Sequence, residues 1–145
     1  MKILKYSKTV RRILLIAAVL TAVVLLSMAI GRARKQPPAL ADRQARIDYL
    51  AALGFEAAPD SEQRQEILLP REFDDVLENY NELQKQQGFD LSRYAGQSAT
   101  LYSYTVTNWP DPNATVIVDL YCRKGRVIAG DVHSTALNGF MFGLK

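Results

Sequence analysis

Asp131, His133 and Ser134 are the nearest thing in this chain to a nucleophile set. A carboxylate that holds an imidazole in one tautomer prepares it to take a proton from a hydroxyl. Side chains two apart on a strand share a face, so Asp131 and His133 point together while Ser134 points away. No glycine-framed turn exposes the serine as a nucleophile. The expected role of His133 is therefore structural or solvent-facing. No catalytic residue is assigned, and hydrolysis through Asp131 and His133 stands as the alternative.

Two further candidates weaken in the same way. Cys122 would be a reactive thiol beside a cation, but it shares parity with Val118 and Leu120 and is expected in the core as a small apolar residue. Asp75, Glu78 and Glu82 form an acidic stripe, yet calcium sites draw six to eight oxygens from loops, so a solvated helix face is expected. One cysteine and one histidine exclude the usual zinc frameworks and any internal disulfide. No metal and no cofactor are expected.

The aromatic residues offer a different chemistry. Tyr94, Tyr102, Tyr104, Trp109 and Tyr121 cluster in the C-terminal half, and Trp109 borders a proline-rich turn. Rings with a polar tip suit contact surfaces. Most should pack in the core or on the sheet, but Trp109, Tyr102, Tyr104 and Tyr121 are the candidate ligand-binding residues.

The elements that carry these residues follow from pattern. Asp42 is a plausible N-cap for a helix running to about Leu53, with Ile47, Leu50 and Leu53 on one side and Gly54 as terminator. Phe55 to Ala58 and Gln63 to Leu69 are short candidate strands around a turn at Pro59-Asp60. Gln63 to Glu66 is too polar for a central strand. Pro70 opens the strongest predicted helix, 71–87, closed by Gly88. Phe73, Val76, Leu77, Tyr80 and Leu83 recur on it at spacings of three and four and form one apolar face.

The final third reads as β, with strands at Ala99 to Asn108, Ala114 to Arg123 and Arg126 to His133. A turn at Pro110 to Asn113 separates the first two, and a tight hairpin at Lys124-Gly125 the last two. Val116, Val118, Leu120 and Cys122 share one face; Asp119, Tyr121 and Arg123 share the other. The apolar tail ALNGFMFGLK is expected to fold back onto the sheet.

Ahead of these elements lies Ile13 to Ile30, 18 uncharged residues with only Thr21 and Ser27 polar. As a helix it is roughly 27 Å long, close to the hydrocarbon thickness of a bilayer. It predicts a transmembrane signal anchor at 13–31, after a cytoplasmic tail at 1–12 and before a linker at 32–41 stiffened by Pro37-Pro38. Ala39-Leu40-Ala41 has the pattern of a signal-peptidase site, but it lies well past an apolar run that is long for a signal peptide. Five basic residues before the span against three just after it favour a cytoplasmic N-terminus. The short tail disfavours a cytoplasmic regulator of the anti-sigma kind.

The pI of about 9.1 belongs to that N-terminal region. Residues 42–145 hold ten basic and fifteen acidic side chains, a net charge of about −5, which excludes a nucleic-acid surface. The length of that stretch suits one domain.

FDDVLENYNELQKQQGFDLSRYAG (Phe73 to Gly96), YSYTVTNWP (Tyr102 to Pro110), VIAGD (Val127 to Asp131) and STALNGFMFGL (Ser134 to Leu144) together resemble a family of small N-terminally membrane-anchored domains of unknown function from Gram-positive bacteria. The resemblance covers most of 42–145 and implies a cell-membrane location and a single outer domain; it supplies no site residues. The expected fold is α+β, one or two helices packed on an antiparallel sheet of three to five strands behind the N-terminal transmembrane helix. The expected function is that of an outward-facing, non-enzymatic binding domain. Membrane lipid around 13–31 and an envelope component or membrane protein are its expected partners.

Overall fold

The computed structural model describes residues 39–145. These residues belong to a compact unit that begins at Pro37. The predicted tail, membrane span and nearly all of the linker lie outside the described residues. Among the described residues, no helix is long and apolar enough to cross a membrane.

Two helices pack on one five-stranded antiparallel sheet. Helix α1 is Arg43–Ala52 and α2 is Asp75–Gln86. The strands are β1 Gln63–Leu68, β2 Ser98–Thr105, β3 Val116–Arg123, β4 Arg126–Ser134 and β5 Met141–Gly143, in the spatial order β1-β2-β3-β4-β5. Each strand pairs with its neighbour in sequence. Short 3-10 turns lie at Pro59–Ser61 and Leu91–Tyr94.

The two faces of the sheet differ. Val116, Val118, Leu120 and Cys122 of β3 form one face and meet Tyr104, Val127, Val132 and Leu50 of α1 in the main core. Asp42 caps α1 by accepting the Ala45 N–H at 2.8 Å. Gly54 follows at φ +94°, a left-handed conformation that glycine tolerates without strain. The opposite face carries Ala99, Ile128 and Ala129, with Leu91 of the second 3-10 turn, Tyr80 of α2 and Tyr121 packed against them.

Helix α2 starts later than its sequence predicts. The carbonyls of Leu69 and Pro70 both accept the Gly96 N–H, at 3.0 Å each, which ties residues before Asp74 to the loop that leads into β2. Asp74 then caps the helix through the Leu77 N–H at 2.8 Å. Its buried side also differs from the predicted apolar stripe: Asn81 and Gln84 are its buried residues, while Val76 is 77% exposed. The polar β1 is an edge strand, where one free side suits its sequence. The C-terminal tail does return to the sheet, as β5 on the far edge, with Leu144 buried beyond it.

Candidate functional site

The apolar stripe of α2 divides: Phe73 and Tyr80 pack against the smaller core, while Val76, Leu77 and Leu83 line a groove. Val76, Leu77 and Leu83 of the helix form one wall; Leu91, Tyr121 and Met141 contribute to the rest. The groove has a volume of about 790 Å³, inside the range usual for ligand pockets. Its charged lining residues are Glu72 and Asp74, both acidic.

Beside the apolar contact of Tyr80, the end of the helix meets the sheet edge through polar contacts. Strand β5 covers β4 only from Asp131 to His133. Next along that edge, Gly130 donates its N–H to Gln84 Oε1 at 2.9 Å, and its carbonyl accepts from Gln87 Nε2 at 3.0 Å. Gln87 Oε1 in turn accepts the Leu144 N–H at 2.6 Å. Two glutamine side chains thus stand in for a missing strand and satisfy backbone groups that must otherwise be paired. Gly130 is required there, since a Cβ would come within 2.4 Å of Leu144 Cδ1 and 2.7 Å of the Asp119 carbonyl.

A polar network borders the groove on the sheet. Asp119 and Asp131 face each other across β3 and β4. Ser103 donates to Asp119 Oδ1 at 2.5 Å, and Tyr80 donates to Asp131 Oδ2 at 2.5 Å. Asp131 Oδ1 lies 2.9 Å from His133 Nδ1. Asp131 is 1% exposed and Asp119 9%. Like charges directly opposite across strands are unfavourable. Burial pushes the Asp119 carboxyl above its usual range; the Ser103 hydrogen bond and His133 pull it down, but burial and the charge of Asp131 prevail. Burial, then the charge of Asp131, lift the Tyr80 hydroxyl far above the tyrosine range and Tyr121 to about 12. Both phenols therefore stay neutral at physiological pH, and Tyr80 remains a donor.

A family model for a domain of unknown function, DUF4830, matches residues 52–132, more than half of the chain. The chain belongs to the DUF4830 family. The matched stretch spans β1, α2, β2 and β3 and nearly all of β4, and so contains Tyr80, Asp119, Tyr121 and Asp131; His133 lies just past its end. No curated protein and no solved structure matches this DUF4830 chain.

The residues singled out by sequence fall in separate places in the DUF4830 domain. Asp131 and His133 do share a face and touch, whereas the Ser134 hydroxyl accepts from the Ala136 N–H. Cys122 is buried in the main core, and burial raises its thiol to about 11. Asp75, Glu78 and Glu82 are exposed on α2.

The four aromatic candidates occupy different surroundings. Tyr104 is fully buried; it donates to Glu62 and accepts from Arg46 Nε at 2.8 Å. Tyr102 lies under the Arg46 guanidinium, 3.7 Å from the ring centroid. Trp109 stacks on Phe140 and Phe142 with centroids 4.9 and 5.8 Å away. Tyr121 is the member of the four that lines the groove, 6.0 Å from Tyr80.

Sequence reasoning missed Tyr80, Ser103 and Asp119 as members of one network, because cross-strand register brings them together. The outward parity of Asp119 with Tyr121 was the available signal.

Proposed function

We propose that this DUF4830 protein is a membrane-tethered, extracytoplasmic binding domain from a Gram-positive bacterium. Residues 13–31 would anchor it in lipid with the tail 1–12 in the cytoplasm, and the linker 32–41 would hold the domain outside. The uncharged run at 13–30 and its basic flanks support this topology. The occupant of its groove is a short apolar peptide segment bearing a basic side chain, from an envelope or membrane protein. The carrying observation is the open groove itself, with apolar walls from α2 and the sheet and no charged lining residue other than Glu72 and Asp74 among the described residues. Apolar walls supply the binding energy and a few rim charges set orientation and partner choice.

The hydrogen bond between Asp131 and His133 favours the second reading, an envelope hydrolase. Among the described residues, however, no hydroxyl or thiol is hydrogen-bonded to His133, so the relay lacks its nucleophile.

The test uses two end-blocked probe peptides, Lys-Leu-Phe-Leu and Glu-Leu-Phe-Leu, titrated calorimetrically into the full chain in detergent micelles, with empty micelles as the blank. The lysine peptide should bind more tightly by about two- to fivefold, the worth of an exposed rim charge. The preference should vanish in the Glu72→Gln, Asp74→Asn double variant. Equal affinities in the native protein, or no binding beyond the blank, would contradict the reading.

A further inference from the structure

We propose that Asp119, Asp131 and His133 form a site for one divalent transition-metal cation. One carboxylate oxygen of each aspartate and a ring nitrogen of His133 lie within 4.8 Å of one another. Ligands bound at the usual nitrogen and oxygen distances around a tetrahedral ion sit about 3.3 Å apart. The β3–β4 ladder sets the two aspartates opposite each other, so both carboxylates approach the same point from neighbouring strands.

Two features separate this trio from an ordinary acidic patch. The first is charge. Two carboxylates, 9% and 1% exposed, face one imidazole, so a net negative charge remains even when His133 is protonated. Buried charge without a counter-charge is strongly unfavourable, and a divalent cation supplies the missing positive charge. The second is orientation. Ser103 holds one oxygen of Asp119 and Tyr80 holds one oxygen of Asp131; a cation would take the second oxygen of Asp119 and replace the proton between Asp131 Oδ1 and His133 Nδ1, now 2.9 Å apart. Hydroxyl partners of this kind fix ligating carboxylates in metal sites.

The donor set selects the class of metal. One imidazole nitrogen and two carboxylate oxygens suit zinc, cobalt or manganese, whereas calcium and magnesium take oxygen shells of six or more. His133 keeps a quarter of its side chain exposed, which provides an entry path and room for a water ligand. The inference is independent of what the groove holds.

The test uses the full chain in detergent, stripped with EDTA and titrated with Co²⁺ alone, read by its visible d–d absorption. His133 is the single histidine of the chain, so His133→Gln removes every imidazole donor at once. One equivalent of Co²⁺ should bind the native protein and be displaced by Zn²⁺. Binding should weaken at least about tenfold in His133→Gln and in Asp119→Asn. Zn²⁺ should raise the melting temperature of the native protein and not that of His133→Gln, each compared with its own melt in EDTA, which separates lost ligation from lost folding. Absence of one-equivalent binding, or Co²⁺ binding unchanged in His133→Gln, would overturn the proposal.

Discussion

At the scale of single residues, Tyr80 links the helix to the polar network, since its ring packs in the smaller core and its hydroxyl reaches Asp131. Tyr80→Phe keeps the packing and leaves a buried carboxylate oxygen without its donor. The expected cost is about 1–3 kcal/mol in urea unfolding. On the other face, Glu62 accepts from Arg46 Nη2 at 2.8 Å and from Tyr104, with Arg46 only 4% exposed. Burial alone would raise the Glu62 carboxyl, but the Tyr104 and Arg46 hydrogen bonds, the Arg46 charge and Arg43 outweigh it and hold it low. The folded pKa therefore lies below the unfolded one. The stability this gives is complete above the unfolded value and is lost as pH falls through the folded value. Glu62→Gln should cost about 3 kcal/mol near neutral pH, because it strands a buried guanidinium. The difference between native and variant urea melts should shrink as the pH is lowered into that acidic window; a difference independent of pH would contradict this assignment.

Much of this residue-scale chemistry was hidden in the sequence for a physical reason. The pairing of Asp131 with His133 follows from strand parity and was legible. Arg46 with Glu62, and Asp119 with Asp131, are set by register and by the docking of α1, and no local pattern encodes either. An arginine in the first turn of a predicted helix reads as solvent-facing until a partner is known.

At the scale of elements, α2 departs furthest from its pattern. Its apolar stripe at Val76, Leu77, Tyr80 and Leu83 is real, yet Gln84 and Gln87 meet the sheet edge, which needs hydrogen-bond partners, and buried Asn81 holds Asp90 and the Leu91 N–H of the following turn. Hydrophobic periodicity locates a helix but does not report the polar demand of the surface it meets. Gln84→Leu keeps the volume and removes the acceptor of the buried Gly130 N–H. A loss of about 1–3 kcal/mol is expected, together with faster amide exchange at Gly130; unchanged Gly130 protection would show that the edge is capped otherwise. The strands were more legible, since β-branched alternation and the Lys124-Gly125 turn, where both residues have positive φ, sit close to the observed hairpin.

At the scale of the whole domain, the sheet has one sealed face and one partly open face. The α+β class and the strand-rich final third were legible because burial on one side imposes alternation. The groove was not, since an apolar stripe predicts contact without saying whether that contact closes. Val76 is largely exposed in the groove wall. Val76→Lys should therefore change stability by no more than about 0.5 kcal/mol while weakening the lysine probe peptide severalfold through both lost apolar contact and like charge. A second apolar surface, the stack of Trp109, Phe140 and Phe142, offers a rival place for a ligand.

The decisive measurement is a chemical-shift map of the domain with the Lys-Leu-Phe-Leu peptide. Residues 37–145 are suited to it, because they form a compact unit and every buried side chain described lies between Leu40 and Leu144. Saturable shifts should concentrate at the methyls of Val76, Leu77, Leu83 and Met141 and at the Tyr121 ring. Shifts centred on Trp109, Phe140 and Phe142, with the groove methyls unmoved, would contradict the groove as the binding site.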